Sequence, residues 1–224
     1  MKAMEGIGVS FAYDEAVLFS DLDMCVSEGE CVAITGPSGC GKSTLCYILS
    51  GIIPRSMEGN FKGKVKLFGD DISTLSLEET VIRIGIVFQN PDSQLFSPTV
   101  EDEIAFGPEN LCLPREEIEK RITHSLLSVG MQDFRYANPS ILSGGQKQLV
   151  ALAASLALEP RAIIFDEALS QLDSESTALV KSAILRQKAL GRAILLVEHD
   201  PDNLDIADRI YSFEEGKLKE VSYA

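Results

Sequence analysis

Apolar and polar residues alternate along the opening stretch of the chain. Ile7, Val9 and Phe11 take every second position, as do Leu22, Met24 and Val26. A period of two puts successive side chains on opposite faces of a strand, so both stretches predict half-buried antiparallel strands. Cys31–Thr35 is a short apolar run that predicts a strand entering a glycine-rich loop, and Ser43–Ser50 predicts the helix that the loop launches. Val65 and Leu67, after Gly63, mark another alternating strand, and Ile84–Phe88 a buried one. From Asn90 to Ile141 the texture changes. Prolines at 91, 98, 108, 114 and 139 separate charged helical pieces, one begun by Pro114 with Ile118, Ile122, Leu126 and Val129 on one face. Beyond them, helical stretches alternate with the apolar runs Ala162–Phe165 and Ala193–Val197. Such alternation predicts βα units in a parallel sheet covered on both faces. The expected division is one domain over 1–224, with a core of 1–89 and 142–224 and an inserted helical subdomain at 90–141.

Composition narrows the function more than the fold. A length of 224 residues, 45% hydrophobic and 24% charged, suits one ordinary globular α/β domain. No tract approaches the ~20 apolar residues of a membrane span. The most apolar run, Leu149–Leu158, is ten residues long and contains Ser155. Met1–Ser10 lacks the order of a secretory signal, which predicts retention in the cytosol. The 20 basic and 34 acidic residues give a formal net charge of −14, a surface that repels phosphate backbones and anionic headgroups. Neither nucleic-acid binding nor direct lipid binding is expected. Five cysteines (25, 31, 40, 46 and 112), with no Cys-x-x-Cys pair, predict small buried residues in a reducing compartment. Cys40 stands apart, inside the glycine loop.

That loop, Gly36-Pro37-Ser38-Gly39-Cys40-Gly41-Lys42-Ser43-Thr44, matches G-x-x-x-x-G-K-[ST] in full and lies between a predicted strand and a predicted helix. Gly36, Gly39 and Gly41 let backbone N–H groups converge on phosphate oxygens, and the helix N-terminus adds its positive end. Lys42 would reach the β- and γ-phosphates and Ser43 would hold Mg²⁺. The run Ala162–Phe165 ends in Asp166 and Glu167. Ligands gather at the carboxyl ends of parallel strands, so Asp166 would coordinate Mg²⁺ and Glu167 would polarise an attacking water. The expected fold class is therefore α/β, a P-loop NTPase core of mostly parallel sheet with an antiparallel β edge. Ser143-Gly144-Gly145-Gln146 opens a helix carrying Leu149, Leu152, Ala153 and Leu156. Its spacing suits a capping box, and a helix N-terminus with a serine hydroxyl equally suits an anion receptor.

A P-loop followed about a hundred residues later by Leu142-Ser143-Gly144-Gly145-Gln146 resembles the ATP-binding cassette ATPases. The resemblance implies that Ser143, Gly144, Gly145 and Gln146 complete the ATP site of a second cassette. It implies a Q-loop glutamine at Gln89, which senses Mg²⁺ and the attacking water. His199 is similar to the switch histidine at the γ-phosphate, and Asp173, in Ser170-Gln171-Leu172-Asp173, to the D-loop aspartate. Tyr13 fits the aromatic that stacks on adenine, with Phe11 as rival, although the alternation of Phe11 with Val9 turns it toward the core. ATP, Mg²⁺, Cys40 and Thr44 in the phosphate loop, and a homodimer or heterodimer of cassettes follow from the same resemblance.

Within that family, Val87–Phe96 followed by Phe106–Asn110 is similar to ATPases of energy-coupling factor transporters, importers of vitamins or transition-metal ions. Those act with a transmembrane coupling subunit and a substrate-binding membrane subunit, at the cytoplasmic face of the membrane. Leu49–Asn60 is similar to loops of ATPases made of two fused cassettes, so a tandem half and a separate subunit both stay open. Ala168 stands where the family has proline, Gln171 replaces a small residue, and Leu149 replaces an arginine. Two rival readings are a soluble cassette acting on DNA or ribosomes and a hydrolytically silent regulatory cassette. The acidic surface and the lack of a heptad run speak against the first.

Overall fold

The computed structural model describes residues 1–221. The chain opens with two long strands, β1 (Lys2–Tyr13) and β2 (Ala16–Ser27), paired antiparallel. After β3 (Cys31–Thr35), α1 (Lys42–Leu49) and the short turn α2 (Ile52–Arg55), the strand β4 (Asn60–Leu67) pairs with the other edge of β1. A two-residue strand, β5 (Asp70–Asp71), completes a four-stranded antiparallel sheet in the order β2-β1-β4-β5. α3 (Leu77–Val81) leads into β6 (Ile84–Val87), and α4 (Val100–Asn110) and α5 (Arg115–Val129) follow. Then come α6 (Gly144–Leu156), β7 (Ala162–Asp166), α7 (Ser174–Ala189), β8 (Ala193–Val197), β9 (Arg209–Glu214) and β10 (Lys217–Val221). The second sheet runs β10-β9-β3-β8-β7-β6, parallel except for the terminal β9–β10 hairpin.

The fold class is the expected one, with its antiparallel part divided. One piece is the β9–β10 edge of the parallel sheet; the other is a separate sheet stacked on it. The parallel strands show why the stack holds. Val32 and Ile34, Ala162 and Ile164, and Leu195 and Val197 face a core shared with β1, β2, β4 and α1. Their neighbours Cys31 and Ala33, Ile163 and Phe165, and Ile194 and Leu196 face a second core under the helices α4 to α7. A period of two thus feeds two cores from one sheet, and a strand buried on both faces reads as a continuous apolar run. Phe11, Phe19 and Phe213, each about 1% exposed or less, join the antiparallel sheet to β9, with ring centroids 6.3 Å and 5.6 Å apart along the series. Each such ring removed from water contributes about 1.5–3 kcal/mol.

The most apolar run of the sequence becomes α6, whose residues Gln148 to Ala153 are all buried. An apolar run of this length makes a helix at the centre of a globule rather than a membrane span. Leu149, in the place of the family arginine, is 5% exposed and belongs to the core beneath the parallel sheet. The Pro114 helix expected from sequence is α5, with Pro114 at its N-cap position and Ile122, Leu126 and Val129 buried. α4 and α5 pack on α6, and their buried residues run into the same core. No helix of the described residues is long and apolar enough to cross a membrane.

Candidate functional site

Four parallel strands stand side by side in the order β3, β8, β7, β6. Their carboxyl ends carry the P-loop, Glu198 with His199, Asp166 with Glu167, and Gln89 respectively. The loops there have room for a ligand because the chain departs from the sheet in different directions.

After β3 the backbone turns at Gly36, where φ is 153° and an added Cβ would lie 2.4 Å from the Phe213 carbonyl oxygen. Only glycine fits there. Gly39 and Gly41 hold φ of 79° and 110°, left-handed values that a glycine adopts freely. Gly41 is the N-cap of α1, no side chain caps the first turn, and no acidic residue stands in it. The amides and the positive end of the helix dipole are thereby left to an anion. Lys42 is 3% exposed and donates to the carbonyls of Gly36 (2.9 Å) and Pro37 (3.0 Å). Its ammonium also lies 3.4 Å from Glu167 Oε1, so the buried charge is paired. Cys40 is half-buried, its Sγ beside Gly36.

Ser43 donates its hydroxyl to Asp166 Oδ1 at 2.9 Å, joining the start of α1 to the end of β7. Burial pushes the Asp166 carboxyl above the usual carboxylate range, and the Ser43 hydrogen bond opposes that shift. Glu167 sits at φ 51°, a left-handed conformation rare outside glycine, and donates its N–H to Val197 O at 2.9 Å. Strained backbone of this kind collects at functional sites, and here it turns the carboxylate off the strand axis toward Lys42. Gln89 donates its amide to Glu167 Oε2 (3.1 Å) and Ser170 Oγ (3.3 Å), so it lies on the carboxylate and not on the Ser43–Asp166 pair. Exposed His199 lines a cleft of about 500 Å³ with Ser170 and Leu172. Tyr13 is 42% exposed with its hydroxyl 3.5 Å from Thr44 Oγ1, whereas Phe11 is 1% exposed in the core.

Ser143 and Gln146 form a reciprocal capping box at the start of α6. Gln146 N–H reaches Ser143 Oγ at 3.3 Å, and Ser143 N–H reaches Gln146 Oε1 at 2.9 Å. Ser143 and Gly144 are exposed. Gly145 is buried against α7, where an added Cβ would lie 2.4 Å from Ser176 Cβ. Asp173 caps α7, accepting from Ser176 N–H at 2.8 Å. Nothing joins Ser143–Gln146 to the P-loop by hydrogen bond; these residues pack instead beside Leu172 and Ser176.

A phosphate-binding loop between strand and helix, with two carboxylates at the end of β7, one strand removed from β3 in the same parallel sheet, defines a P-loop nucleotide-binding domain. The chain belongs to the ABC transporter family, which it matches over residues 19–170. It is 41% identical over 212 residues to the energy-coupling factor transporter ATP-binding protein EcfA of Methanosarcina acetivorans, covering 94% of this chain and 76% of that protein. A Methanosarcina mazei protein named for ABC transporter ATP binding is 44% identical over 199 residues, 88% of this chain and 34% of its own length. The chain thus spans about a third of that longer relative. Among solved structures, cbiO1 of Clostridium perfringens, part of the ABC transporter complex cbiONQ, superposes with a TM-score of 0.86 at 31% identity, covering 97% of this chain and 87% of that one.

Two groups at this site escaped the sequence reading. Glu198 is fully buried; its Oε1 accepts from Leu169 N–H at 3.0 Å, its Oε2 has no partner, and burial raises its pKa above the usual carboxylate value. Gln148 is 1% exposed and bonded to the backbone of the Gln89 loop. Its signal was a polar residue four positions before Leu152 on the face of an apolar helix, a place that demands a buried partner.

Proposed function

We propose that the chain is the ATP-hydrolysing subunit of an energy-coupling factor importer of a vitamin or metal ion. Two cassettes, identical or different, close around two nucleotides, each held between the P-loop of one and Ser143–Gln146 of the other. One observation carries the reading. Lys42, Ser43, Asp166, Glu167 and Gln89 converge in one place, while Ser143 and Gly144 are exposed elsewhere, at the start of α6. A receptor for phosphate that does not meet its own P-loop needs a nucleotide from a second chain.

On this reading Lys42 leaves the carbonyls of Gly36 and Pro37 for the β- and γ-phosphates, and Tyr13 stacks on the adenine. Glu167, released from Lys42, accepts a proton from the attacking water. Gln89 orients that water, His199 and Ser143 contact the γ-phosphate, and Asp173 links the two sites. Mg²⁺ fits the residues present. Ser43 and Asp166 offer hard oxygen donors 2.9 Å apart, and Gln89 would join them. Among the described residues no cluster of three or more His, Cys, Asp or Glu forms an all-protein cage, which suits an ion held mainly by substrate phosphates and water. When bound, the ion neutralises charge on the phosphate oxygens. Residues 90–141 act as the helical subdomain that passes closure to a transmembrane coupling subunit, with a separate membrane subunit choosing the cargo. The chain works at the cytoplasmic face of the membrane through those partners.

Glu167→Gln tests the base. The variant should bind ATP and dimerise, while steady-state turnover of the assembled transporter falls about 10²–10⁴-fold, the usual reach of general-base catalysis. Turnover equal to the parent would remove Glu167 from that role.

A further inference from the structure

We propose that Gln148 is a positioning residue that ties the helix carrying Ser143–Gln146 to the loop carrying Gln89, so that the two composite ATP sites respond to each other through one chain. The inference rests on the dimeric reading above.

The tie is short and fully specified. Gln148 Nε2 donates to Phe88 O at 3.1 Å and to Gln89 O at 3.0 Å, which uses both amide hydrogens. Both partners are carbonyls, so the opposite amide orientation would set oxygen against oxygen. The orientation is compelled even though Oε1 stays buried without a partner. Beside it, Lys147 Nζ pairs with Asp92 Oδ1 at 2.6 Å. Gln94 folds the held segment back onto the end of β6: it accepts from Phe88 N–H (3.3 Å) and donates to Ile86 O (3.2 Å). Residues 88–92 are therefore bonded both to the end of β6 and to the start of α6.

At the other end of Gln89, its side chain reaches Glu167 at 3.1 Å. A displacement of Gln89 at this chain's own nucleotide pulls on Gln148, and through the first turn of α6 on Ser143, which serves the partner's nucleotide. Coupling of this kind is reciprocal: closure on Ser143 reports back to Gln89. A glutamine that merely filled a buried space would need no two bonds to the backbone of a loop that touches the Glu167 carboxylate.

The test compares wild type, Gln148→Met and Gln148→Glu in the assembled transporter, measuring turnover against ATP concentration, and in the isolated chain, measuring ATP affinity. For Gln148→Met, loss of two neutral hydrogen bonds predicts turnover down by about tenfold to a hundredfold. The Hill coefficient should fall toward unity while the single-chain ATP affinity stays within about twofold. Gln148→Glu keeps the size of the side chain but sets a carboxylate against both carbonyls, so its Hill coefficient should also fall toward unity. If the Met variant does not fold, the Glu variant decides. Unchanged cooperativity in both variants, or a loss of single-chain ATP affinity large enough to explain the drop in turnover, would overturn the inference. A wild type with no ATP-dependent dimer would instead overturn the reading beneath it and remove the sites to be coupled.

Discussion

Ser143 serves the fold and the proposed chemistry with the same oxygen, and one pair of substitutions separates the two roles. Its Oγ accepts from Gln146 N–H at 3.3 Å, at the long end of the hydrogen-bond range. Ser143→Ala should therefore cost the lower half of the usual N-cap range, about 0.5–1 kcal/mol. For a domain of this length that lowers Tm by about 1–4 °C. Ser143→Asp keeps an acceptor as good as serine, and a carboxylate suits the positive end of the helix. Its melting point should match the parent. With ATP the order reverses. A carboxylate about 4 Å from the γ-phosphate of the partner's nucleotide meets about 4 kcal/mol of repulsion per unit charge at an effective dielectric constant near 20. That weakens the ATP-dependent dimer about a thousandfold for each nucleotide that faces a substituted residue. The assays are thermal unfolding without nucleotide, and solution mass with and without ATP and Mg²⁺ in a Glu167→Gln background. Ser143→Asp forming the ATP dimer at parental concentrations would refute the receptor role, and Ser143→Asp melting as low as Ser143→Ala would refute the capping role.

Two further outcomes follow from buried or crowded groups. Burial raises the pKa of Glu198 in the folded chain, so the stability linked to its proton is present below the unfolded value and is lost as pH rises through the folded one. Glu198→Gln should thus be more stable than wild type at neutral pH, with a margin that shrinks toward the ordinary carboxylate range; a margin independent of pH in thermal melts would contradict this. Cys40 is half-buried within the phosphate loop, so a bulky maleimide should abolish ATP binding and prior ATP should protect the thiol. Full nucleotide affinity in the labelled chain would show that the thiol lies outside the phosphate path.

Much of the site was legible in the sequence because its parts are local. The P-loop needs glycines, a lysine and a serine at fixed offsets, and a strand before and a helix after, all within 31–50. The capping box of Ser143 and Gln146 spans one turn, and the strand β8 runs over the same Ala193–Val197 that its apolar run marked. Tertiary structure alone decided what these parts meet. Gln89 and Glu167 stand 78 positions apart and come within 3.1 Å because β6 and β7 pair in parallel, a register that neither strand's own pattern contains. The separate antiparallel sheet, the edge strands β9 and β10, and the roles of Gln148 and Glu198 were hidden for the same reason. A period in the sequence says which side chains turn inward. The surface that receives them, and the donor or carboxylate waiting there, comes from distant residues that only folding brings near.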